Sequence, residues 1–240
     1  MTGEMEMMKK TIKGPFFVVN PKAYLYGADS LKLAKYADRL AAKYGVDVFF
    51  TAQLVDLPVI KRETENLIIT AQHMDGIVPG RGMGHVLPEA LAAAGVSAVF
   101  LNHVEHPMTV SELAKAISRA DELGIITIVC ADTPEEAEAV ARLHPDIMVC
   151  EPSGLIGTGK VSGEAYMKST NEAVKSVSPK TLVLQAAGIS NGENVYAAIM
   201  SGADGTGATS GIVAAEDPFA ALEEMMEALD KAGKEIKGEA

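Results

Sequence analysis

The chain has 240 residues, 48% hydrophobic and 22% charged, which is enough apolar material for one sizeable α/β core and excludes a disordered or fibrous chain. Its net charge of −11 opposes phosphate backbones and anionic lipid, so neither nucleic acid nor a membrane is expected as a partner, and a phosphorylated ligand would need a local positive site. No apolar run reaches bilayer length and Met1–Lys13 lacks a secretory apolar stretch, so a cytoplasmic location is expected, with Cys130 and Cys150 as buried thiols.

In chain order, short runs rich in β-branched and apolar residues fall at Phe16–Val19, Val46–Phe50, Leu67–Thr70, Ala98–Leu101, Ile125–Val129, Ile147–Cys150, Thr181–Leu184 and Gly205–Thr209. Between them the spacing predicts helices over Ser30–Tyr44, Val110–Leu123, Pro134–Leu143, Ala165–Val177 and Pro218–Ala232. Ser111 and Glu112 read as one helix start and Thr133-Pro134-Glu135-Glu136 as another, while Gly45, Gly95 and Gly124 read as stops. Near-continuous apolar strands alternating with helices mean a parallel sheet covered by helices. About eight such units in this length predict a closed (β/α)8 TIM barrel, a single domain over 1–240 with 1–14 and 234–240 as peripheral tails.

In a barrel, residues just past the carboxyl ends of the strands converge on one mouth. Those positions hold Asn20 and Lys22, Gln72, then Asn102, His103 and Glu105, then Glu151, then Gly188-Ile189-Ser190 and Thr209-Ser210-Gly211. The stretch Val149–Lys160 runs from a strand into a carboxylate, a proline and Gly-Thr-Gly, the layout of a rigidly held base beneath a mobile lid. Taken singly, each residue has a plainer reading: a helix-capping Glu151, a core His103, a solvated Lys22, turn glycines. Metal chemistry is not expected, because His73, Asp75, His85, His103, Glu105 and His144 lack a convergent ligand spacing. Gly80-Arg81-Gly82-Met83-Gly84 has the wrong glycine spacing for a dinucleotide site, so no cofactor is expected.

Several motifs occur in order over about Phe16 to Pro218: Val19-Asn20-Pro21-Lys22, Ala71-Gln72-His73-Met74-Asp75, Gly84-His85-Val86-Leu87-Pro88-Glu89, Leu101-Asn102-His103-Val104-Glu105, Val129-Cys130, and Glu151-Pro152 through Gly157-Thr158-Gly159. With them the chain resembles the triosephosphate isomerase family, most closely its compact archaeal-type branch. The resemblance implies interconversion of glyceraldehyde 3-phosphate and dihydroxyacetone phosphate by proton transfer through an enediolate. It implies Glu151 as base, His103 as neutral electrophile, Lys22 as fixed positive charge and Asn20 as amide donor, with Glu105 supporting Lys22. Phosphate would be held by backbone N–H groups around Ile156, Gly157, Gly188, Ser190, Thr209, Ser210 and Gly211. A homodimer or homotetramer is implied, with the Gly80–Gly84 loop reaching across the subunit interface. The chain departs from the family pattern at Val104, usually serine, and at Ala186, usually glycine; His106, Gln185 and Gly207 also differ. Two other readings remain open: an isomerase of another phosphorylated ketose or aldose, and a non-catalytic barrel that binds a phosphorylated metabolite.

Overall fold

The computed structural model describes residues 9–152, 154 and 163–239. Eight parallel strands, β1 (Phe16–Val19), β2 (Val48–Ala52), β3 (Leu67–Ala71), β4 (Ala98–Leu101), β5 (Ile126–Ala131), β6 (Ile147–Cys150), β7 (Leu182–Gln185) and β8 (Gly205–Ala208), pair in sequence order. β8 returns to β1, with Phe17 opposite Thr206 and Val19 opposite Ala208, and this closes the barrel. Around it lie α1 (Gly27–Tyr44), α2 (Leu57–Glu63), α3 (Pro88–Ala93), α4 (Val110–Leu123), α5 (Pro134–Ala141), α6 (Glu164–Val177), α7 (Gly192–Met200), α8 (Ser210–Val213) and α9 (Pro218–Lys237). The expected (β/α)8 barrel is therefore present.

Some boundaries need correction. The first cap of α4 is Thr109, not Ser111: its hydroxyl accepts from the Glu112 N–H while the Glu112 carboxylate accepts from the Thr109 N–H. At Thr133 the cap is as expected, with the hydroxyl taking the Glu136 N–H. α9 runs on to Lys237 instead of stopping at Ala232, because the Lys234–Asp230 pair supports one more turn and Gly238, at φ 71°, ends it. α2 and α3, of seven and six residues, are too short to show a helical period in the sequence.

Alternate strand residues fill the barrel with Phe16, Val18, Phe49, Ile68, Phe100, Ile128, Val149 and Leu184, and Phe16 meets Phe49 edge to face at 5.3 Å. β8 contributes no bulk to this layer. A Cβ on Gly207 would lie 2.6 Å from the Val18 carbonyl oxygen, and one on Gly205 would overlap the Phe16 ring. β1 thus fills the space that β8 leaves, a large-against-small match fixed by residue choice. We expect Gly205→Ala to lower the free energy of unfolding by ~1–3 kcal/mol through overpacking. A denaturant midpoint equal to the wild type would contradict this packing.

The amino-terminal face of the barrel is closed by acids that take strand N–H groups and lysines together. Asp146 Oδ2 accepts from the Thr127 N–H at 2.7 Å and from Lys9 Nζ at 2.6 Å. Asp204 Oδ2 accepts from the Val183 N–H at 2.8 Å and lies 2.9 Å from Lys175 Nζ, and Asp47 takes both the Lys13 N–H and Lys10 Nζ. β2 starts at Val48 and not at Val46. These groups stabilise one end of the barrel and leave the other for chemistry.

Candidate active site

At the carboxyl end of the strands lies a cavity of about 240 Å³. Asn20, Lys22, His103, Glu105, Glu151, Gly188, Thr209 and Ser210 all line it, having come from the loops after β1, β4, β6, β7 and β8. Lys22 is the one cationic side chain among the described residues that line this cavity. In a chain of net charge −11, that makes it the local positive site an anionic ligand requires.

Lys22 sits at φ 48°, a left-handed backbone that costs a residue with a Cβ about 1–2 kcal/mol. The surroundings hold it there. Its N–H donates to Asn20 Oδ1 at 3.0 Å, and its carbonyl accepts from Gln72 Nε2 at 2.8 Å and from Gln53 Nε2 at 3.3 Å. With its oxygen engaged in this bond, Asn20 has its amide N–H₂ to offer as a donor at the cavity it lines. The Lys22 side chain is only 17% exposed, and Nζ lies 2.8 Å from Glu105 Oε1. That pairing holds the Glu105 carboxyl below its ordinary range, so Glu105 stays ionised and fixes the ammonium.

His103 is oriented by its own turn. Asn102, also left-handed at φ 56°, anchors that turn: Nδ2 donates to the Cys130 carbonyl at 3.1 Å and Oδ1 accepts from the Met108 N–H at 3.0 Å. The His106 N–H then donates to the His103 carbonyl at 2.7 Å, and the Glu105 N–H donates to His103 Nδ1 at 3.1 Å. A backbone N–H can only donate, so Nδ1 is unprotonated and the ring proton sits on Nε2. Burial, with Lys22 adding to it, pushes the imidazole below its ordinary pKa. His103 is thus a neutral ring with one N–H to offer.

Glu151 follows β6, its N–H bound to the Ala131 carbonyl at 3.1 Å. Burial raises its carboxyl above the ordinary range, Lys22 pulls the other way, and Glu105 adds to the rise. Desolvation therefore makes it a stronger base than a carboxylate in water. Beside it Cys130 is buried and its thiol is raised by that burial, while Cys150 is pushed up to about 12. Both are inert neutral thiols, as expected from sequence.

The remaining predicted positions divide. Gly188, at φ 73°, Thr209 and Ser210 line the cavity. Ser190 and Gly211 do not: the Ser190 N–H and hydroxyl both go to Asn194 Oδ1, at 3.2 and 3.0 Å. At Gly211 a Cβ would stand 2.6 Å from the Ile189 carbonyl oxygen, so this glycine seats α8 against the loop after β7. Ile156 and Gly157, and most of the Gly154–Gly159 loop, lie outside the described residues. Ala186 lines the main cavity, and Val104 lines an adjoining hollow that touches His103, Cys130 and Glu151. Sequence reasoning gave no role to Gln53 and none beyond position to Gln72; the strand-end location of both was the available signal.

The chain matches the model of the family described as triosephosphate isomerase over residues 15–228. It is 38% identical over 224 residues to a triosephosphate isomerase of Methanobacterium bryantii, covering 91% of this chain and 97% of that protein. A triosephosphate isomerase of Methanopyrus kandleri is also 38% identical, with 91% and 100% covered, and one of Sulfolobus acidocaldarius is 34% identical, with 95% and 100% covered.

Proposed function

The chain belongs to the triosephosphate isomerase family, in its archaeal type, and is an isomerase that interconverts glyceraldehyde 3-phosphate and dihydroxyacetone phosphate; from that premise we propose how its residues divide the work. Glu151 takes the proton from the carbon next to the carbonyl and returns it to the adjacent carbon. His103, through Nε2–H, donates to the oxygen on which charge develops, and the enediolate never meets a protonated imidazole that would quench it. Lys22 stabilises the same charge and Asn20 adds an amide donor. Gly188, Thr209 and Ser210 hold the phosphate by backbone N–H groups, with Ile156 and Gly157 adding theirs as the resemblance implies. The observation that carries this reading is that Lys22, His103 and Glu151 line one cavity while His103 Nδ1 is occupied by the Glu105 N–H.

The protein works in the cytoplasm as a homodimer or homotetramer. Support for the assembly comes from the Gly80–Gly84 loop, where Met83 is fully exposed, and from Val78 just before it, which is largely so. No helix among the described residues is long and apolar enough to cross a membrane.

Ala186 sets the substrate test. Activity on glyceraldehyde 3-phosphate should exceed that on four- and five-carbon phosphosugars, and Ala186→Gly should leave the ratio of their specificity constants unchanged, because Ala186 is tolerated drift at a site whose chemistry is intact. The change should cost only ~0.5–1 kcal/mol of stability through glycine's extra chain entropy. A shift of about tenfold in the ratio, ~1.4 kcal/mol, would show instead a pocket retuned for a longer sugar.

A further inference from the structure

We propose that the tilted ring pair His73 and His106 is a positioning element for the catalytic turn. The proposal rests on the reading of His103 as electrophile and adds two residues that touch no substrate.

His73 leaves the end of β3 and His106 closes the turn after β4; their ring centroids lie 4.0 Å apart with planes 38° from parallel. His106 is therefore seated from below by a side chain of a different loop. Through its backbone N–H, His106 holds the His103 carbonyl at 2.7 Å. Within the same turn, the Glu105 N–H fixes the tautomer of His103 and the Glu105 carboxylate grips Lys22. Moving the His106 ring thus moves the segment that orients two site groups at once.

Charged groups flank the pair on both sides. On the β3 side, Asp75 Oδ1 is 3.5 Å from His73 Nε2, but the same oxygen is 3.1 Å from His85 Nδ1 and Oδ2 takes the Val86 N–H at 2.6 Å. From α4, Glu112 and Lys115 line the hollow beneath the pair, one of each sign. Lys22, His103 and Glu105 line the hollow on its other side. Asp75 and Glu112 favour a proton on His73, yet burial outweighs them and, with His106 alongside, pushes His73 below the ordinary imidazole value. The ring contact, and no hydrogen bond between the two imidazoles, is what seats His106 against the β3 loop.

His106→Phe keeps a ring for His73 to pack on, whereas His106→Ala removes it. We expect kcat to fall at least about fivefold in His106→Ala with KM within about twofold of the wild type, and His106→Phe to restore kcat to within about twofold. The Glu105 amide proton supplies a readout independent of turnover. Its chemical shift in the free enzyme should move in His106→Ala and stay at the wild-type value in His106→Phe. Undiminished kcat in His106→Ala, no restoration in His106→Phe, or an unmoved Glu105 amide in His106→Ala overturns the proposal. If the wild type turns over no triose phosphate, the function reading falls instead, and the Glu105 amide shift alone decides whether the pair is coupled to the turn.

Discussion

In Lys22→Met, turnover falls roughly 10³-fold and affinity for an anionic enediolate mimic falls with it, the scale expected when a preorganised charge-stabilising group is removed. The fold should survive. Glu105, left without its partner, has a side chain 60% exposed and is rehydrated, so stability changes by less than ~1 kcal/mol. Methionine also inherits the left-handed backbone at position 22 at the same cost as lysine, with the Asn20, Gln53 and Gln72 bonds intact because they address the main chain. Lys22→Arg should recover little, since a planar fork turns toward Glu105 and cannot present a point charge at the same place. Steady-state kinetics and inhibition constants for the three proteins check this. Near-normal inhibitor affinity in Lys22→Met would show that the ammonium does not face the developing charge.

Glu151→Asp keeps the charge and withdraws the base by about one methylene, a misplacement near 1 Å that costs roughly 10²-fold in kcat. Binding of a phosphorylated inhibitor should change little, because the proposed phosphate contacts include the loops after β7 and β8. The pH profile carries a second sign. Glu151 acts only when ionised, and burial raises its pKa above the ordinary 4.5, so activity is lost as pH falls through a point above that value. His103 is lowered by burial, so on rising pH it becomes neutral before an ordinary imidazole would. The acid limb in the wild type should therefore lie above pH 4.5. A wild-type limb at or below that point would mean that the base is not desolvated.

The barrel was legible because its strands are continuous apolar runs, and because strand-end positions map onto one mouth whatever the helices do. Lys22, His103 and Glu151 could be brought together on that ground alone. What fixes them could not be read. The left-handed turns at Lys22 and Asn102 fall on residues without a glycine signal, and the bonds from Gln53 and Gln72 to the Lys22 carbonyl join three loops by main-chain contact. The ring tautomer of His103 depends on a backbone N–H two residues away, which carries no side-chain signature. Gly205 and Gly207 read only as a weak strand, since their purpose is to make room for Phe16 and Val18 across the β1–β8 seam. Ser190 shows the converse: a strand-end serine in the right place whose donors are already committed to Asn194.

The central claim is proton transfer through Glu151, and isomerisation in D₂O tests it directly. Product formed by the wild type should carry deuterium from solvent on the carbon that receives the proton, because a carboxylic acid exchanges its proton with water during the lifetime of the intermediate. In Glu151→Asp the rate of deuterium incorporation should fall in the same roughly 10²-fold proportion as turnover. Product free of deuterium, or incorporation undiminished in Glu151→Asp, would contradict the account.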